Sequence, residues 1–177
     1  IQYQAVVNLL LISRKSFSPH YWVASIDRSL PFQGIVETSK LAPAEQLNSR
    51  SLLYLMRHLD RDDPEYKEAP GVITERFLSA FYRTFPEFTP ADIEASFLFR
   101  APYVEPAYTA GYLRRRPPAD LYQSKLFLAT TAQVYPTVTS WNGSVTLSRE
   151  VAAAMCSAAP AFSHPPEYTE RTGRVPA

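Results

Sequence analysis

Sixteen prolines set against five glycines place the first limit on what this chain can fold into. A proline inside a helix loses a backbone hydrogen bond and clashes with the preceding turn, and inside a sheet it is confined to an edge or a bulge. The chain must therefore be built from short elements punctuated by turns. Its 177 residues suffice for one domain, or for one domain and part of another. Apolar residues make up 46% and charged residues 20%, an ordinary globular balance. A formal charge of +1 gives no case for nucleic acid or an acidic membrane as partner. No apolar run approaches the roughly 18–20 residues of a membrane helix. The one cysteine, Cys156, excludes an internal disulfide framework, so a reducing, cytoplasmic setting is expected. No initiator Met or basic, apolar leader precedes Ile1, which reads as a cut inside a longer protein.

The apolar pattern divides the chain. Residues 2–12 alternate and then run Leu9-Leu10-Leu11-Ile12, a well-buried strand. Residues 21–27, 33–39 and 51–57 read as further strands, with a short helical turn within 41–48. From Val72 the period changes. Val72, Ile73, Phe77, Leu78, Phe81, Tyr82 and Phe85 recur at helical spacing, and Pro86 stops the helix. Thr89-Pro90-Ala91-Asp92 reads as a turn, and residues 93–104 as a long strand that Pro102 limits to an edge or a bend. Arg114-Arg115-Arg116-Pro117-Pro118 reads as a loop and boundary, residues 126–129 as a short buried strand, 142–157 as the last helix, and Pro160 onward as an extended tail. Runs of strands separated by one or two helices predict an α+β fold with a mostly antiparallel sheet, followed by a strand–helix unit from a separate layer.

Few residues offer chemistry by pattern alone. Thr139, Ser140 and Asn142 are suitable helix caps, and Gly143 would allow close backbone approach. A helix start there would present free N–H groups and partial positive charge. Glu37 and Glu105 sit in apolar strand contexts, either as solvent-facing positions or as carboxylates facing a cavity. Tyr21, Trp22, Tyr54, Tyr103, Tyr108 and Tyr112 could line an apolar cavity or simply belong to the core. Arg57 and Arg100, near strand ends, are better anion candidates than the solvated Arg114-Arg115-Arg116 run. His20, His58 and His164 lack ligand-like spacing to one another or to Cys156, so no metal site is expected. There is no G-x-S-x-G elbow, no P-loop and no G-x-G-x-x-G. Asn142-Gly143-Ser144 matches a glycosylation sequon, read as chance.

Several segments, taken in order, resemble the FAD-dependent amine oxidase and protoporphyrinogen oxidase superfamily. The C-terminal match is Ala132, Gln133, Tyr135 and Pro136, then Trp141-Asn142-Gly143, then Val151-Ala152-Ala153. Upstream, Tyr21-Trp22-Val23-Ala24-Ser25-Ile26-Asp27, Leu30-Pro31-Phe32-Gln33-Gly34-Ile35-Val36-Glu37, Phe85-Pro86-Glu87-Phe88 and Phe99-Arg100-Ala101-Pro102-Tyr103-Val104-Glu105-Pro106 resemble its substrate domain. The resemblance runs from about residue 3 to 155. It departs at the last helix, where Leu147-Ser148 precede Arg149 and some relatives have Ser-Gly. The dinucleotide-binding βαβ unit that would hold the ADP half of FAD is absent from this sequence. No lysine aligns with the active-site lysine of some relatives.

The resemblance implies a fragment of an FAD-dependent oxidoreductase: residues 1–112 as substrate-binding domain, 113–158 as the C-terminal part of the FAD-binding domain, and 159–177 as tail. It implies a small-molecule substrate, and the nucleotide-binding domain of the same protein as partner. Tyr135, Trp141, Asn142, Gly143 and Ser144 would meet the flavin, the last three through backbone groups, while Tyr103, Tyr108, Glu105, Arg57 and Arg100 would meet substrate. Two other functions stay open. One is a redox-neutral flavin mutase acting on a nucleotide sugar, with Arg57, Arg100 and Arg114 for the diphosphate. The other is a non-enzymatic ligand- or protein-binding domain.

Overall fold

The computed structural model describes residues 1–123 and 125–158. The expected tail, 159–177, lies outside the described residues. The fold is α+β, with a five-stranded antiparallel sheet and three α-helices. The chain forms two compact units, Ile1–Ala110 and the residues from Gly111 onward.

In the first unit the strands are β1 (Tyr3–Ser13), β2 (Trp22–Ala24), β3 (Gly34–Glu37), β4 (Ser51–Leu59) and β5 (Ile93–Pro106), in the order β2-β3-β4-β1-β5. β1 is bonded on both sides, pairing Leu9 with Leu55 of β4 and with Leu98 of β5. Because side chains alternate faces along a strand, this double pairing sorts the whole sheet. Val7, Leu9 and Leu11 go to one face and are buried, as are Leu53 and Leu55 beside them. Val6, Asn8, Leu10 and Ile12 go to the other face and remain half-buried. Pro102 sits in β5, which is an edge strand, and a register shift between Gln4 and Val6 falls beside it.

Two helices of this unit are α1 (Pro64–Lys67) and α2 (Pro70–Thr84). Asp63 caps α1 by accepting from the Glu65 N–H at 2.9 Å. α2 starts on Pro70, whose missing N–H costs nothing at that position. It ends just before Pro86, where the Phe85 N–H still reaches the Phe81 carbonyl at 2.9 Å. Its buried stripe is Ile73, Phe77, Ala80 and Phe81, and these residues join Val7, Leu9, Leu11, Leu53 and Leu55 in one core. Phe81 lies 5.2–5.3 Å from the rings of Phe88 and Phe85, and Phe17 stands edge-on to Phe85 at 4.7 Å. Losing a fully buried aromatic of this kind costs about 3–5 kcal/mol.

The second strand is shorter than residues 21–27. Ile26 is 98% exposed, and the Asp27 carboxylate accepts from the Ser29 N–H at 2.8 Å, turning the chain. Glu37 also differs from the solvent-facing expectation, since it is only 1% exposed. Its carboxylate accepts from the N–H groups of Phe17 (2.9 Å) and Ser18 (3.2 Å) and from the Ser39 hydroxyl (3.1 Å), with the Lys40 ammonium at 3.6 Å. The group pins the 14–18 loop to the sheet. A carboxylate with its lone pairs committed in this way is a structural anion rather than a general base.

In the second unit Gly111 takes φ 74° and opens a 3-10 turn over Tyr112–Arg114. A second turn covers Thr131–Gln133, and α3 spans Trp141–Ala158. The expected strand at 126–129 is not there. Leu126 is 56% exposed, and only a single bridge, Asp120 to Phe127, marks the segment. The Thr131–Gln133 turn follows directly. No helix among the described residues is long and apolar enough to cross a membrane.

Burial pushes the Glu37 carboxyl up, but hydrogen bonds from serine hydroxyls and from the Phe17 and Ser18 N–H groups outweigh it and hold its pKa below 4.5. The stabilisation is therefore complete above that ordinary value and is lost as pH falls through the lowered folded one. Urea-unfolding midpoints measured down an acid series should show this loss. Glu37→Gln should flatten that acid dependence, and Glu37→Leu should cost about 3 kcal/mol at neutral pH by stranding two N–H donors.

Candidate functional site

The segment from Thr130 to Leu147 is built by local rules. The Thr130 N–H donates to the Gln133 side chain at 2.9 Å, closing a capping box over the short turn. The Gln133 amide is buried and donates onward to the Pro117 carbonyl at 3.2 Å. The Tyr112 hydroxyl donates to the Ala132 carbonyl at 2.6 Å, and its ring stands 5.5 Å from that of Tyr135. The Tyr135–Pro136 peptide is cis. The Arg116 guanidinium donates to the Tyr135 carbonyl at 3.0 Å.

Ser140 is the cap of α3. Its hydroxyl accepts from the Gly143 N–H at 3.0 Å, and its carbonyl accepts from the Ser144 N–H at 2.9 Å. Of the three residues expected to offer backbone groups, two have thus spent their N–H on Ser140, and the Asn142 N–H meets no acceptor among the described residues. A cavity of about 470 Å³ lies at this helix start, lined by Arg116, Tyr135, Pro136, Ser140, Asn142 and Gly143 among others. The expected residues Tyr135, Asn142 and Gly143 line it, whereas Trp141, 91% exposed, and Ser144 do not. Gly143 has an internal reason to be glycine, because a Cβ there would stand 2.8 Å from Val134 Cγ1 and 3.3 Å from the Ser140 hydroxyl.

In the first unit the structure brings Arg57 and Arg100 together, on either side of Val7. Both are engaged. Arg57 pairs with Glu65 at 2.9 Å, Arg100 donates to the Glu68 carbonyl and stands 6.0 Å from the Tyr66 ring, and Arg76 pairs with Glu68 at 2.8 Å. The group fastens α1 to the buried face of the sheet. Tyr103 is exposed, with the Tyr3 ring edge-on at 6.0 Å and the Arg61 guanidinium 5.4 Å from its ring centre. Tyr108 is half-buried beyond the end of β5, and Glu105 lies opposite Gln4 at the end of the half-buried face.

That half-buried face carries a feature missed in the sequence. Trp22, Val36, Tyr54, Leu10 and Phe97 form one row across all five strands, and Ala24, Gly34, Met56, Asn8 and Phe99 form the next. None of Leu10, Tyr54, Met56, Phe97 or Phe99 packs into the core under α2. Asn8 Oδ1 is buried and meets no protein donor among the described residues. The signal was available, because Asn8 is a lone amide inside Val6-Val7-Asn8-Leu9-Leu10-Leu11. An open trough of about 670 Å³ runs between α2 and β5, lined by Gly71, Leu78, Ser96, Phe97, Leu98 and Phe99 among others, and holds none of the expected site residues. Among the described residues no group of three or more His, Cys, Asp or Glu could hold a metal.

Gly143→Ala should lower the stability of the second unit by about 1 kcal/mol. The clash with a branched, buried Val134 exceeds the helix-propensity gain of an alanine. Chemical denaturation followed by the far-UV signal of α3 measures it.

No family model matches the chain, and no curated protein matches it. Among solved structures, a crystal structure of reduced UDP-galactopyranose mutase aligns with a TM-score of 0.49 at 14% sequence identity, over 63% of this chain and 24% of that one. The chain thus spans about a quarter of the protein it aligns with.

Proposed function

We propose that this chain is part of an FAD-dependent oxidoreductase of the amine-oxidase type, with residues 1–110 on the substrate side and the Tyr135–Gly143 segment on the flavin side. The observation that carries the reading is the helix start at Ser140. It combines an unspent Asn142 N–H, the partial positive end of an 18-residue helix and the half-buried Tyr135 ring around one cavity. Such a site suits the electron-rich edge of a reduced isoalloxazine. Asn142 would hold that edge by hydrogen bonding, Tyr135 would flank it, and Arg116 would steady the loop through the Tyr135 carbonyl. When bound, FAD supplies the hydride-accepting chemistry. The residues of this chain bind, orient and exclude water.

No residue here offers the glycine-rich turn that cradles a dinucleotide diphosphate. A nucleotide-binding domain elsewhere in the protein would supply it. A redox-neutral mutase on the same scaffold would need Arg57 and Arg100 to leave Glu65 and the Glu68 carbonyl before either could take a diphosphate. That engagement weighs against Arg57 and Arg100 in the mutase reading and leaves its third arginine, Arg114, in place.

The test is expression of the chain together with its native upstream residues. The purified protein should be yellow and bleach on adding an amine or related reductant; a folded, colourless protein would remove the flavin reading. The 177-residue chain by itself, mixed with FAD, should retain little flavin on gel filtration and show no oxidase turnover.

A further inference from the structure

The two edges of the sheet are unequal. β2 is only 3 residues long, a length that by itself limits further pairing, whereas β5 runs for 14. Residues 95–99 of β5 bond to β1 on one side. On the other side no backbone group reaches them among the described residues. The trough between α2 and β5 opens along this same stretch, with Leu78 and Tyr82 of α2 facing Ser96 and Leu98. On the far face Phe97 and Phe99 are 49% and 53% exposed. An edge of this kind, with an apolar trough beside it, is completed by another extended strand.

The stretch itself says which strand. Ala95, Phe97 and Phe99 share one face, and Ser96 and Leu98 share the other. A two-fold axis normal to the sheet keeps these faces and lays a second β5 antiparallel to the first. Centred on Phe97, it sets Ala95 opposite Phe99 of the second copy and Ser96 opposite Leu98. A small side chain then meets a large one at every position but the axis, where Phe97 meets itself, aromatic on aromatic. Just beyond, Glu94 comes opposite Arg100 at both ends, so unlike charges meet. Other centres lose the match. Centred on Leu98, Phe97 meets Phe99 and Ala95 meets Ala101; centred on Ser96, the Glu94 carboxylate is laid against Leu98. The stretch is thus complementary to itself in size and in charge, which an unrelated peptide would match only by accident.

We infer that two copies of this chain associate through β5, joining their five-stranded sheets into one antiparallel sheet with Phe97 on the two-fold axis. The α2 helices then flank the paired strands on one face, and each trough is closed along its open side by the β5 strand of the other copy. The interface lies wholly in the first unit and is independent of the flavin reading.

The experiment is sedimentation equilibrium on the 177-residue chain and on the chain with its native upstream residues, each over a dilution series. Both should move from one chain towards two as concentration rises. Phe97→Glu and Phe97→Lys should each weaken the association at least about tenfold, because each sets like charges against each other on the axis. Their thermal melting should stay near that of the unaltered chain, since Phe97 lies outside the core under α2. An equal mixture of the two variants should restore the dimer, because the charges become complementary only where residue 97 faces residue 97. A chain that stays monomeric at every concentration would overturn the inference. So would a dimer that both variants leave intact, or a mixture whose members stay apart. A monomer seen only when the upstream residues are present would also overturn it, since another part of the protein would then complete the edge.

Discussion

The double pairing of β1 is the constraint on which the first unit depends. Once Leu9 faces Leu55 on one side and Leu98 on the other, every residue of three strands is assigned to a face. One face receives Phe77 and Phe81 of α2 and becomes the core. The other keeps its aromatic rows half in solvent. A slip of one residue would exchange the two, burying Asn8 and exposing Leu9, so the register is held by the full difference in apolar burial between the faces. Glu37 acts at the far side of the same sheet, where a buried carboxylate ties the loop after β1 to β3.

The two regions with chemical potential differ in kind. The helix start at Ser140 offers the Asn142 N–H and a dipole, the means by which backbone holds electron-rich groups. The sheet face offers area and half-exposed aromatic rings. Three arginines of the first unit serve neither region, because Arg57, Arg76 and Arg100 are spent on the carboxylates of Glu65 and Glu68 and the Glu68 carbonyl.

The legible parts of the fold are those where one period dominates. The stripe Ile73, Phe77, Phe81 announces α2, and the alternation before Leu9 announces β1. The four apolar residues at 126–129 mislead because they pair only with the short 119–121 stretch, through one bridge and the backbone bonds beside it, which is too little to make a strand. The Thr130-x-x-Gln133 spacing just beyond was the better guide, being a capping box that announces a turn. Of the site residues, Tyr135, Asn142 and Gly143 follow from local helix-start rules and do converge. The pairing of Arg57 with Arg100 across Val7 and the aromatic rows of the half-buried face depend on strand register, which no local pattern encodes. Buried Glu37 was hidden for the same reason, since its partners at Phe17 and Ser18 lie far back along the chain.

The edge position of β5 has a cost during synthesis and storage. Its C-terminal half is blunted by Pro102 and by the register shift beside it, which spoil any continuous ladder. Its N-terminal half, Ala95-Ser96-Phe97-Leu98-Phe99, has neither proline nor charge and presents an open row of backbone donors and acceptors. Such a stretch templates intermolecular strand pairing. Glu94 and Arg100 bracket it and act as gatekeepers, placing unlike charges at the two ends of the vulnerable segment. Both are also committed to ion pairs or hydrogen bonds within the fold, so anything that loosens those contacts also weakens the protection against aggregation.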